Sequence, residues 1–393
     1  MNTKQLYLNI PKLYTIKALR WLMFVMPVIV LFFLDHGLSM TQVIYLQVIF
    51  SLIIVGLEVP SGYFADKVGR KISLVVASFL GFLGFLIYAF SFNFFGFLIA
   101  EIVLGIGSSF MSGADSALLY DTLIECGIQG KYKQIEGRYL AIGSLAEGIA
   151  SIIGGFLALI SLRTPIYFEV VAMFFAIPFS LTLVEPTRHH YQIARSRVRE
   201  ILKIVKYSLH EHKEIKWLII YSGLINASTL TMVWFIQPLL QSVQLPLAWF
   251  GVVWAGLQLS VVVFSLTAHR YEAFFGRRRS LVPLIFIAVA GYVLLSLFQS
   301  WWSIIFIFFF YFIRGISGPI LKDYVNRLIS SDFRATILSV KALVGRVIFS
   351  IISPFIGWAT DMYSLSVAFL LAAGLFAFFG IIPLLYLKKY HAV

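Results

Sequence analysis

Glu58, Glu101, Asp115 and Glu147 are carboxylates set inside stretches of apolar residues, and Arg20, Arg314, Lys341 and Arg346 are cations set in the same way. A charge within an apolar membrane helix costs at least about 2.5–3.5 kcal/mol on insertion scales, so each must face protein or water. Carboxylates in such places suit proton carriage or cation binding, and guanidinium groups suit anion binding or neutralisation of a nearby acid. A second concentration of charge stands where an apolar run ends, at Gly62-Tyr63-Phe64-Ala65-Asp66-Lys67-Val68-Gly69-Arg70-Lys71. A helix that stops on such a stretch leaves the bilayer on its positively charged side. Gly62 and Gly69 permit a tight turn and close approach of a neighbouring helix. Asp66 falls at a helix C-terminus, where the dipole disfavours an anion, so it needs a partner. The stretch is a candidate latch, with an ordinary basic loop as the alternative.

The elements that hold these residues are membrane helices. Of the 393 residues 60% are hydrophobic and only 12% charged, against about 25% charged in soluble domains. Twelve apolar runs, each near the ~20 residues a span requires, are expected at 14–34, 42–65, 72–91, 94–119, 138–160, 164–184, 215–240, 247–271, 280–299, 301–325, 335–360 and 364–387. The first follows Lys4, Lys12, Lys17 and Arg20 and lacks a small-residue cleavage site, so no cleavable signal peptide is expected. The lone Cys126 excludes an internal disulfide and carries no metal or redox pattern. The net charge of +13 is topology and not a nucleic-acid footprint: the outer turns contribute only Arg163 to the 31 Lys and Arg. Both termini are therefore expected in the cytoplasm, with the chain in the plasma (inner) membrane and in contact with its lipid.

The longest polar stretch separates six spans from six, giving an N-terminal bundle over 1–184, a linker over 185–214 and a C-terminal bundle over 215–393. Ile193, Val198, Ile201, Leu202, Val205 and Leu209 recur at helical spacing among basic residues, which predicts an amphipathic helix on the inner leaflet. His189, His190, His210 and His212 lie here without ligand spacing, so no metal is expected. The halves echo one another: Gly105-Ile106-Gly107 matches Gly315-Ile316-Ser317, and Gly154-Gly155 matches Gly357-Trp358. Gly276-Arg277-Arg278-Arg279 repeats the tail of the charged stretch, with Glu272 one place off the register of Asp66.

Together these residues resemble the major facilitator superfamily, whose signature between the second and third helices is G-x-x-x-D-x-x-G-R-K. The resemblance covers the whole chain. It implies an all-α membrane protein of twelve transmembrane helices in two pseudo-symmetric six-helix bundles, working by alternating access around one midplane substrate site. It implies a gating network of Asp66, Arg70 and Asp115, grouped with Gly62, Gly69, Lys71 and Arg334, with Asp66 near the start of span 11. Asp115 is expected about 21 Å from Glu101 along one helix. Spans 3, 6, 9 and 12 are the lipid-facing ones in this family, and they hold no charge but Glu169, near Arg163. Span 2 faces span 11 there, so Glu58 and Arg346 suit a pair, made in one access state or constitutive. Glu101 stands where many antiporters of the family carry an arginine. It either carries a proton, binds a cationic substrate or pairs with Arg20 or Arg314. The Gly-Pro of the antiporter signature is replaced by Ala150-Ser151.

Glu147 is either a proton carrier or a packed, hydrogen-bonded acid. Asn226, Gln237 and Gln258 could give a substrate directional hydrogen bonds, alongside Arg20, Arg314 and Arg346. Trp234 and Tyr311 would either stack on a flat ligand or pack. No nucleotide motif, catalytic constellation or metal motif occurs, so the expectation is no enzyme and no cofactor. The expected protein is a monomeric, proton-coupled antiporter exporting a small amphipathic or cationic molecule. The rival is a proton-coupled importer of a nutrient or siderophore.

Overall fold

The computed structural model describes residues 3–186, 210–276, 279–328 and 331–389. The expected linker helix, the basic pair Arg277 and Arg278, and the side chain of Arg334 lie outside the described residues. Among the described residues fifteen α-helices appear: α1 Thr3–Tyr7, α2 Asn9–Arg20, α3 Ile29–Asp35, α4 Met40–Lys67, α5 Arg70–Phe90, α6 Phe94–Met111, α7 Ala114–Glu125, α8 Tyr132–Leu157, α9 Thr164–Leu181, α10 Lys213–Ser242, α11 Ala248–Phe275, α12 Val282–Leu297, α13 Ile307–Leu328, α14 Ser331–Met362 and α15 Leu365–Lys389. Among the described residues, ten helical stretches are long and apolar enough to cross a membrane.

Three departures from the expected spans matter. The run 14–34 is not one helix: residues 21–28 are turns between α2 and α3. Pro27 lacks an N–H and biases Met26 away from helix. The run 94–119 is interrupted as well. Gly113 adopts φ +74, a left-handed value open to glycine, and separates α6 from α7, which then runs on to Glu125. The ninth run forms only α12, an apolar helix of 16 residues. Beside it, Phe264, Pro283, Phe286, Ile287, Phe309 and Phe312 help line an apolar cavity of about 580 Å³.

The chain divides into two compact units. The first comprises Met1–Leu38, Ile49–Ala194 and Leu247–Ala255. The second comprises Ser39–Val48, Arg195–Pro246 and Gly256–Val393. Each therefore includes a few helical turns from the other half of the sequence, and the causes are local. The Asp361 carboxylate at the end of α14 accepts the backbone N–H groups of Met40 and Thr41, both at 2.8 Å, which caps α4. Gly251 in α11 lies against the backbone of Ser151 and Gly155 in α8, an approach that a side chain would block.

In lipid, helices associate by close packing and interhelical hydrogen bonds. The buried stripe of α5, Ser73, Ala77, Ser78, Gly81 and Gly84, is small at helical spacing and packs on α6 and α9. In the second unit α10 is buried on nearly every face, with α13, α14 and α15 around it. Its one exposed polar side chain between Tyr221 and Leu240 is Asn226.

Candidate functional site

The charged stretch turns at Gly69, whose φ of +141 needs glycine. At Gly62 nothing among the described residues lies within 4 Å of a Cβ position. Arg70 opens α5, and its guanidinium donates to the Asp121 carboxylate and, at 2.7 Å, to the carbonyl of Ala117. The expected partner was Asp115. The break at Gly113 changes that: Asp115 falls in the first turn of α7, where it accepts the Ser116 N–H and the Tyr139 hydroxyl, each at 2.7 Å. Asp121 lies six residues on, on a different side of α7, and meets the start of α5. The expected span stopped at 119, two residues short of it.

Sequence reading also missed Glu185. Its carboxylate accepts the backbone N–H groups of Arg70 at 3.0 Å and Lys71 at 2.7 Å. These are unsatisfied donors at the positive end of the helix dipole, where an anion is favoured. Glu185→Ala should lower stability by about 1 kcal/mol. Thermal unfolding of the purified protein checks this, with Glu185→Gln recovering part of the loss.

Glu58 accepts from the Ser112 hydroxyl at 3.3 Å. Glu101 is 5% exposed and accepts the Tyr88 hydroxyl at 2.6 Å. Tyr88 belongs to a ring cluster with Phe33 and Phe97, so this acid faces packed aromatic side chains. Glu147, equally buried, meets the Trp254 indole N–H at 3.4 Å. Arg20 was expected either in the cavity or on Glu101. It instead donates to the Ala77 carbonyl at 2.8 Å, against Gly81, which leaves room for it.

In the second unit, Asn226 is exposed and abuts Gly345 of α14. Trp234, Gln258 and Arg346 are half-buried, whereas Gln237 is buried. The Tyr311 ring is fully buried under Arg314, whose guanidinium carbon lies 5.4 Å from its centroid. That ring packs and is not open to stack on a ligand. Glu169 was expected close to Arg163; it has no exposure, and Arg163 turns instead to the carbonyls of Ala89 and Ser91.

Outside the spans, burial and then the Glu125 charge push the Cys126 thiol up, so it stays protonated at neutral pH. Among the described residues no group of three His, Cys, Asp or Glu could hold a metal ion.

Helices that carry buried acids through apolar sequence, with a charged turn latched at one end, define a membrane transporter. The chain belongs to the Major Facilitator Superfamily, whose family model matches residues 18–352. It is 25% identical over 382 residues to an uncharacterised MFS-type transporter of Bacillus subtilis (strain 168), YxaM, covering 91% of this chain and 92% of that one. Among solved structures, the D323A mutant of the nucleoside transporter NupG superposes with a TM-score of 0.81 at 14% identity, covering 97% of this chain and 99% of that one. A bacterial homologue of the human lysosomal transporter Spinster gives 0.74 at 14%, covering 97% and 96%. A D-xylose–proton symporter gives 0.72 at 13%, covering 96% and 97%. At such identities the structural likeness concerns the fold.

Proposed function

We propose that this transporter is a proton-coupled secondary carrier that moves a small amphipathic or cationic molecule outward by alternating access. The reading includes twelve passes in two six-helix bundles, 1–184 and 215–393, joined by the 185–214 linker. Both termini are cytoplasmic, in the plasma membrane. The observation that carries it is the burial of Glu101 and Glu147 inside apolar helices, each against a neutral donor, Tyr88 or Trp254. A carboxylate kept there at a cost of several kcal/mol is best explained by work that needs a titratable group. Asn226, Trp234, Gln258, Arg314 and Arg346 are the proposed substrate contacts. Asp66, Gly69, Arg70, Lys71 and Arg334 form the proposed gate, with Asp121 and Glu185 joining it. Glu58 and Arg346 are proposed to exchange partners during the cycle.

Import is the second reading, supported by the likeness to a nucleoside transporter and a D-xylose–proton symporter. Counterflow in right-side-out vesicles under an imposed pH gradient separates the two, since uptake together with protons would defeat the efflux reading. To find the substrate, the purified protein is screened by thermal shift against metabolites and drugs. A true ligand at 100 times its Kd adds about 2.7 kcal/mol. Glu58→Gln and Glu101→Gln should remove the pH dependence of that stabilisation while leaving the unliganded fold intact.

A further inference from the structure

We infer that Glu169 of α9 is a proton-binding site built on the break in the first membrane pass, so that its protonation and the backbone geometry of residues 21–28 change together. The inference rests on the transport reading only in calling that proton a coupling ion. Its structural content stands alone.

Where α2 gives way to α3, the Val25 N–H has no helical carbonyl to reach. It donates to Glu169 Oε2 at 3.2 Å instead. Glu169 Oε1 is buried with no hydrogen-bond partner. One carboxylate oxygen thus satisfies the broken backbone while the other is empty. An ionised group with an unpartnered buried oxygen is unfavourable in apolar surroundings, and a bound proton removes the charge. The surroundings are apolar: Leu22, Phe24, Ala150, Leu157 and Ala172 form one cluster at the break. The Phe24 carbonyl presses so closely on Gly154 that only glycine fits there. Residues 147, 151 and 154 share a face of α8, so Glu147 lies on the side of α8 turned to the break.

The charged groups on the packed elements leave Glu169 to be tuned by Glu147. From α2, Arg20 is held by Ala77, and Lys17 lies over the rings of Trp21 and Tyr139. From α5, Tyr88 is committed to Glu101. From α8, Glu147 bears on Glu169 as a like charge. Next to α9 itself, Arg163 is bound to Ala89, Ser91 and His36.

The test uses purified full-length protein and two readouts. Infrared difference spectra on pH titration should show the C=O stretch of one protonated carboxyl that disappears in Glu169→Gln and persists in Glu101→Gln. Hydrogen exchange of the amides of residues 22–28, corrected for intrinsic rates, should change several-fold with pH in the wild type and lose that dependence in Glu169→Gln. Glu169→Asp serves as a second variant that keeps the carboxyl, and it should retain a shifted infrared band. The proposal is overturned if the band survives in Glu169→Gln, if exchange at the break ignores pH, or if sodium chloride abolishes the band where choline chloride does not. None of these outcomes depends on transport, whereas the vesicle counterflow does, so the two readings fail separately.

Discussion

Gly154→Val is expected to lower the unfolding temperature of the purified protein by about 10 °C, or to prevent its recovery in folded form. A Cβ at this position would sit 1.9 Å from the Phe24 carbonyl oxygen and 2.8 Å from its carbon. Both are backbone atoms, so no rotamer change relieves the clash. The non-helical segment that Glu169 holds would have to move as a whole. Overpacking ordinarily costs about 1–3 kcal/mol and exceeds that when backbone must shift. Gly148, two turns away on the same helix, provides the control, because nothing lies within 4 Å of its Cβ position. Gly148→Val should therefore leave the melting temperature nearly unchanged. Equal melting of the two variants would show that α8 does not press on the break.

Arg70→Ala is the second large effect. It removes a charge-assisted pair with Asp121 and a hydrogen bond to the Ala117 carbonyl at once. The two side chains are 24% and 33% exposed, so the pair is partly shielded from water. A double-mutant cycle on thermal stability should give a coupling of about 1–2 kcal/mol between Arg70→Ala and Asp121→Asn. Against Asp115→Asn the coupling should stay below about 0.5 kcal/mol, because Asp115 is bonded to Tyr139 and Ser116. Arg70→Lys should keep part of the coupling through its charge while losing the planar donor geometry. A larger coupling to Asp115 would restore the partner expected from sequence.

The membrane class, the helical content and the family were legible from hydropathy, from the distribution of lysine and arginine, and from the charged stretch itself. The local breaks were not. Pro27 coincides with a break, yet Pro60, Pro178, Pro238, Pro319, Pro354 and Pro383 all lie inside continuous helices. What distinguishes Pro27 is a carboxylate from 144 positions away waiting for the released N–H, and no local pattern encodes that. Glu169 was legible only as a lone acid near Arg163 on a helix that the resemblance turns to lipid, and composition does not fix which face an isolated acid takes. The partner of Arg70 was misassigned for a related reason. The resemblance implied Asp115, and one left-handed glycine resets the helical phase so that Asp121 meets Arg70 instead. Glu185 was visible only as the first residue of a polar linker, while its role depends on where the start of α5 lies in space.

The shortness of α12 has a consequence for the bilayer. At 1.5 Å per residue its 16 residues rise about 24 Å, against a hydrocarbon core near 30 Å. Phe298, Trp301 and Trp302, which follow directly, are 41%, 72% and 45% exposed and suit the headgroup boundary. An apolar helix shorter than the hydrocarbon core is accommodated by local thinning of the bilayer or by its flanking residues. On that helix the length of the apolar surface, as much as its polarity, then decides which bilayer thickness suits the fold.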